Sequence, residues 1–130
     1  YSINSDGSAF TVLAYLNGGN GQNILSPLLI GADGILYGTA HSGGAYNTGT
    51  IFKINRDGTG FAMLYTFGSS NSDSRHPGYS GLISLPNGKL YGTTFIGGAS
   101  GTGTIYSFDP VTYQFNRLLD FSAINGQTPH

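Results

Sequence analysis

The chain repeats itself, and a fixed period of about fifty residues confines it to architectures made by stacking one supersecondary unit. Leu36-Tyr37-Gly38-Thr39 returns as Leu90-Tyr91-Gly92-Thr93 at an offset of 54. Gly49-Thr50-Ile51-Phe52 returns as Gly103-Thr104-Ile105-Tyr106 at the same offset, and Leu28 and Leu29 align with Leu82 and Ile83. Upstream, Ile3-Asn4 and Asp6-Gly7 match Ile54-Asn55 and Asp57-Gly58 at an offset of 51. Phe10, Phe61 and Phe115 form one series, and Leu13, Leu64 and Leu118 another. The difference between the two offsets falls in residues 68–80, which are longer than their counterpart 17–26.

Each unit divides into four short strands. Strand A is expected at 27–31 and 81–85, strand B at 35–40 and 89–94, strand C at 50–55 and 104–109, and strand D at 61–67. Asp33-Gly34 and Asn87-Gly88 separate A from B, and such dipeptides predict type I′ hairpins with φ > 0 at both positions. Asp57-Gly58 separates C from D, as Asp6-Gly7 does upstream; Asp109-Pro110-Val111-Thr112 takes that place in the last copy. The chain has no Glu and few Lys, Arg or Ala runs, so it lacks strong helix formers. A helical bundle and a doubly wound α/β fold are excluded. The expected class is all-β, with β-propeller-type four-stranded blades. The expected division is a half blade (strands C and D) with its connector at 1–26, a blade at 27–80, and a blade with its connector at 81–130. About two and a half blades do not close a ring, so the chain is expected to be part of a longer propeller or a protomer completed by neighbours. Its open edges invite pairing with another chain.

These residues resemble a known family. LYGT, GG, GTIF or GTIY, and Asp57-Gly58-Thr59-Gly60-Phe61 follow one another in the order of the Gly-rich GloVer (Gloeo/Verruco) tandem repeat, found in predicted surface or exported proteins of environmental bacteria. The likeness covers essentially the whole chain. Thr94 is Ala40 in the first copy, and the last copy replaces its DG turn with DPVT. The resemblance implies a propeller-like fold, often with a cell-surface anchor elsewhere in the parent protein, and no established activity. Kelch repeats share the period, but the Trp that marks them is absent.

Charge excludes several partners. Lys+Arg 5 against Asp+Glu 6 gives a net charge of −1, with no basic stripe for nucleic acid and no polybasic run for an anionic membrane. No apolar stretch approaches the ~20 residues that span a bilayer, so direct membrane insertion is not expected. Zero Cys excludes a disulfide framework and CxxC sites. Low charge with abundant Gly and Tyr leans towards an extracellular or cell-surface protein.

In such a fold the A–B and C–D turns share one face, and the long B–C and D–A loops share the other. Ligand recognition belongs on variable loops held by a rigid scaffold. The unrepeated residues there are His41, which aligns with Phe95, then Tyr46 and Asn47, and Arg75, His76 and Tyr79 in the inserted loop. Aromatic rings beside planar polar groups suit a sugar, with ring on apolar sugar face and polar groups on hydroxyls. These seven are the candidate ligand-binding residues. The repeated aromatics Phe10, Phe52, Phe61, Phe115, Tyr37, Tyr91 and Tyr106 are expected to pack between blades, with tyrosine hydroxyls on backbone partners.

Catalysis is not expected. Asp6, Asp33 and Asp57 are turn residues, and there is no Glu to serve as a tuned acid. His41, His76 and His130 lack metal-ligand spacing, so no metal or cofactor is expected. The leading expectation is a non-catalytic extracellular scaffold that recognises a glycan or another surface component through the long-loop face. The alternatives are a structural protein that self-associates through blade edges into rings or filaments, and a non-catalytic portion of a propeller hydrolase or lyase.

Overall fold

The computed structural model describes residues 1–70 and 73–122. Of the expected connector at 122–130, residues 123–130, with His130, lie outside them. Among the described residues, nine strands form two antiparallel sheets. The first has the order β1 (Leu29–Ile30), β2 (Leu36–Ala40), β3 (Thr50–Ile54) and β4 (Ala62–Thr66). The second runs β5 (Arg75–Pro77), β7 (Leu90–Ile96), β8 (Thr104–Phe108) and β9 (Phe115–Asp120), and β6 (Ile83–Ser84) also pairs β7. No helix and no closed ring occurs among the described residues.

The repeat is copied down to its irregularities. β2 pairs β3 from Leu36↔Ile54 to Ala40↔Thr50, and β7 pairs β8 from Leu90↔Phe108 to Thr94↔Thr104. Both sheets carry a bulge at the same place, between Ile51 and Phe52 and between Ile105 and Tyr106. A bulge puts an extra residue into one strand and increases its twist.

The A–B turns are not type I′. Gly34 and Gly88 have φ of 79° and 78°, but Asp33 and Asn87 are not in the positive-φ region. The Gly34 N–H donates to Gly31 O, and the Gly31 N–H to Ile35 O, which makes a three-residue loop ending in a left-handed glycine. The physical cause is the side chain before that glycine. Asp33 Oδ1 accepts the Ile35 N–H at 3.0 Å, and Asn87 Oδ1 accepts the Lys89 N–H at 3.0 Å, so the Asx residue holds its own turn with ordinary φ. In the C–D turns Asp57 Oδ1 accepts the Thr59 N–H and hydroxyl, as Asp6 Oδ1 does from Ser8.

Two further expectations need correction. Strand A does not hold the whole outer edge of strand B: β5 pairs β7 beside β6, and in the first copy the Gln22↔Ser42 bridge takes the same place beside β1. The tyrosine hydroxyls reach side chains, not backbone: Tyr37 donates to Asp33 Oδ2 at 2.8 Å, and Tyr91 accepts from Asn87 Nδ2 at 2.9 Å.

The core lies between the sheets. Side chains on a strand alternate in direction, so each sheet has a leading face towards the carboxyl-terminal unit and a trailing face opposite. Tyr37, Ile51 and Phe67 from the first sheet meet Leu82, Leu90, Tyr106 and Phe108 from the second. Tyr65 stacks on Phe115 at 4.5 Å and 3°, and Phe67 stands edge-on to Tyr106 at 5.4 Å. The LYGT glycine is a packing requirement. A Cβ on Gly92 would fall 2.7 Å from Tyr106 Cζ, and one on Gly38 would fall 2.6 Å from Leu28 Cδ2.

The amino-terminal unit is thinner. Residues 1–13 make one bridge, Ser2↔Thr11, and no named strand. Leu13, Ala14 and Leu16 face Leu28, Phe52, Ile54 and Phe61 across an apolar cleft of about 640 Å³. Phe52 is buried, as expected of a repeated aromatic, but Phe10 is 61% exposed.

Burial predicts different costs at equivalent positions. Ile51 is fully buried, whereas Ile105, 54 residues on, is only partly so. Ile51→Ala is expected to cost about 2–5 kcal/mol in urea unfolding and Ile105→Ala distinctly less. Equal losses would contradict this placement of the core.

Candidate functional site

Folding brings five of the seven candidate residues to the junction of the two sheets, on the long-loop side. His41 follows β2, Arg75 and His76 lie in β5, Tyr79 follows β5, and Phe95 lies in β7. The His41 ring stacks on Tyr79 at 5.7 Å and 16°. His41 and His76 are 4.8 Å apart, and Tyr79 stands edge-on to Phe95 at 6.5 Å. Tyr79 is 43% exposed, which leaves part of its ring open to solvent.

Backbone carbonyls orient the two imidazoles. His41 Nδ1 lies 3.1 Å from Pro77 O, and His76 Nδ1 lies 2.9 Å from His41 O. A carbonyl only accepts, so both rings carry their proton on Nδ1 and present Nε2 as an acceptor in the neutral form. His76 has φ 54°, and its N–H donates to Thr48 O at 2.7 Å. β5 is thereby fastened to the 41–49 loop of the first sheet. Gly49 makes room for this contact: at φ 107° a Cβ would fall 2.7 Å from Ala40 O and also strike Pro77.

The other two candidates stand apart. Tyr46 is exposed and makes no ring contact with the cluster among the described residues. Asn47 is committed to its turn at φ 54°, with Oδ1 accepting the Gly43 N–H at 3.0 Å. Its equivalent, Gly101, has φ 71°. Sequence reasoning missed Pro77 and Thr48, which act through backbone carbonyls and so carry no side-chain signal. No group of three or more metal-ligating side chains occurs among the described residues.

Beneath the junction runs a buried hydroxyl chain. Ser74 Oγ, Thr104 Oγ1 and Thr94 Oγ1 are linked at 2.7 and 2.8 Å. In the first copy, where Ala40 replaces the equivalent of Thr94, Thr50 Oγ1 donates to Asn20 O at 3.3 Å. The repeated threonines after YG pair with the serines before strand A, Thr39 with Ser26 at 3.0 Å and Thr93 with Ser80 at 3.5 Å.

The chain matches the Gloeobacter/Verrucomicrobia repeat over residues 1–130. It belongs to that repeat family. No curated protein and no solved structure matches it. The Gloeobacter/Verrucomicrobia motifs now have physical content: the LYGT glycine receives a ring from strand C, the GG pair turns the B–C loop through left-handed φ, and GTIF sends Ile and Phe to opposite faces of the sheet.

Two measurements follow for this repeat. Burial, then the Asp33 contact, pushes the Tyr37 phenol up to about 12, and burial raises Tyr65 and Tyr106 as well. Groups with raised folded values stabilise the fold below the unfolded value near 10 and lose that contribution as pH climbs past it. The urea midpoint is expected to fall from about pH 10 upwards, with delayed tyrosinate absorbance, and Tyr37→Phe should reduce the slope. Separately, Asn47→Gly should change stability by less than about 1 kcal/mol, whereas Asn47→Val should lose a further ~1–2 kcal/mol to left-handed strain.

Proposed function

We propose that the chain is a non-catalytic, exported, propeller-type scaffold that recognises carbohydrate through the patch formed by His41, His76, Tyr79 and Phe95. One observation carries this reading: residues from three separate segments, whose equivalents in the repeat differ in kind, converge on one half-exposed aromatic surface. His41 corresponds to Phe95 and Tyr79 to Leu25, and His76 takes the place of Asn23, both at positive φ. A repeat that needed only packing would have no use for that divergence. A stacked ring offers an apolar platform for a sugar face, and the Nε2 acceptors oriented by Pro77 O and His41 O suit hydroxyl donors.

Several features support the remaining parts. The A–B–C–D meander stacked face to face is the construction of a propeller blade. The carboxylates are engaged elsewhere: Asp6, Asp57 and Asp109 hold turns and are drawn below the usual range by hydrogen bonds, and Asp120 pairs with Arg117 at 3.0 Å. Low charge with abundant Gly, Ser, Thr, Asn and Tyr accords with an exported β-protein.

A glycan array spanning plant, algal and bacterial polysaccharides tests the reading. Binding to a defined glycan class is expected, with Tyr79→Ala weakening it roughly tenfold, the upper worth of one aromatic contact. Thermal stability should change little, because Tyr79 is 43% exposed and lies outside the core cluster. Silence across the array, or binding indifferent to Tyr79→Ala, defeats the proposal.

A further inference from the structure

The two imidazoles at the junction are held as metal ligands are held. A histidine that binds a metal through one ring nitrogen donates from the other to a carbonyl or carboxylate, which fixes its tautomer and ring plane. His41 Nδ1 does so to Pro77 O at 3.1 Å, and His76 Nδ1 to His41 O at 2.9 Å. The second bond runs from one imidazole to the backbone of the other histidine, so the rings are positioned against each other. The His76 N–H on Thr48 O and the stack of Tyr79 on His41 restrict them further. Both Nε2 lone pairs are left without a protein hydrogen bond among the described residues.

The separation of the rings fits one shared cation. A late transition metal sits ~2.0–2.1 Å from an imidazole nitrogen and roughly 3.2 Å from the ring centre. Two rings bound at angles from about 90° to tetrahedral therefore have centres about 4.5–5.2 Å apart. Those of His41 and His76 are 4.8 Å apart. Both residues are partly exposed, so an ion can reach them and keep part of its water. In the chain the two lie 35 residues apart, so no local ligand spacing marks them.

We propose that His41 and His76 form a two-nitrogen site for a divalent late transition-metal ion, copper(II) being held most firmly. Water or another oxygen donor fills the remaining positions. No carboxylate is among the hydrogen-bond or ring partners of either imidazole in the described residues, and such a donor set disfavours calcium and magnesium. The usual order of divalent affinities places copper above nickel and zinc. The repeat supplies the contrast: Phe95 stands where His41 does, and Asn23 where His76 does, so neither equivalent position offers an imidazole. The site uses two side chains of the carbohydrate patch but does not rest on that reading, and its test contains no glycan.

Copper(II) titrated into the chain in a non-coordinating buffer tests this, read by calorimetry and by electron paramagnetic resonance. One equivalent is expected to bind, with hyperfine splitting from two nitrogens, and the thermal midpoint should rise because the ion favours the folded site. His41→Phe and His76→Asn install the residues that the repeat itself uses, and Asn tolerates left-handed φ, so each variant should keep its β circular dichroism. Each should weaken copper binding at least about tenfold and remove one nitrogen from the spectrum. His130→Ala should leave both readouts unchanged. The inference is overturned by a wild-type chain that takes up no copper at about 0.1 mM, by a spectrum without nitrogen splitting, by a folded His41→Phe variant that binds as the wild type does, or by loss of binding in His130→Ala.

Discussion

The structure depends on one close approach. An aromatic ring from strand C lies across the LYGT glycine of strand B, Tyr106 over Gly92 and Phe52 over Gly38, where even a methyl group would collide. Because the glycine leaves that space, the ring sits flat enough on its own sheet to offer a continuous trailing face. Phe67 and Tyr65 of the preceding sheet then close on it edge-on and stacked, the two arrangements aromatic quadrupoles favour. Without the glycine, the ring would be lifted and the inter-sheet core would lose its complementarity.

The rest of the molecule keeps polar groups satisfied around that core. Each tight turn carries its own acceptor: Asp33, Asn87, Asp57, Asp6 and Asp109 all accept a backbone N–H two residues on. A chain with so few charges thus spends its carboxylates on local geometry. The buried hydroxyls of Ser74, Thr94 and Thr104 satisfy one another where the longer loop crosses the second sheet. The long loops are tied in as well: residues 17–26 bridge to the 41–49 loop through Gln22 and Ser42, and His76 joins β5 to Thr48 and His41 at the junction.

Much of this was legible in the residues. The 54-residue offset located β2, β3, β7 and β8 to within about a residue or two, because LYGT and GTIF alternate ring, gap and β-branched residue with the period of a strand. The turn conformation was not legible. Asp-Gly suits both a type I′ turn and a type I turn followed by a left-handed glycine, and the Asp33 and Asn87 side-chain hydrogen bonds decided for the second. β5 was hidden too, since three residues, one of them Pro77 and one at positive φ, show no strand periodicity.

The sequence by itself determined the unit: an all-β repeat with four strands, stereotyped turns and aromatics on both faces, since those features follow from local spacing and turn chemistry. Tertiary structure decided which of those aromatics are covered. Phe115, Phe61 and Phe10 occupy equivalent positions, yet the first two are partly buried and the third is exposed, because burial depends on what packs against each copy. It also decided that His41, His76, Tyr79 and Phe95 share one surface while Asn47 serves a turn. Contacts between residues far apart in the chain are set by how two sheets pack, and no spacing along one strand encodes that.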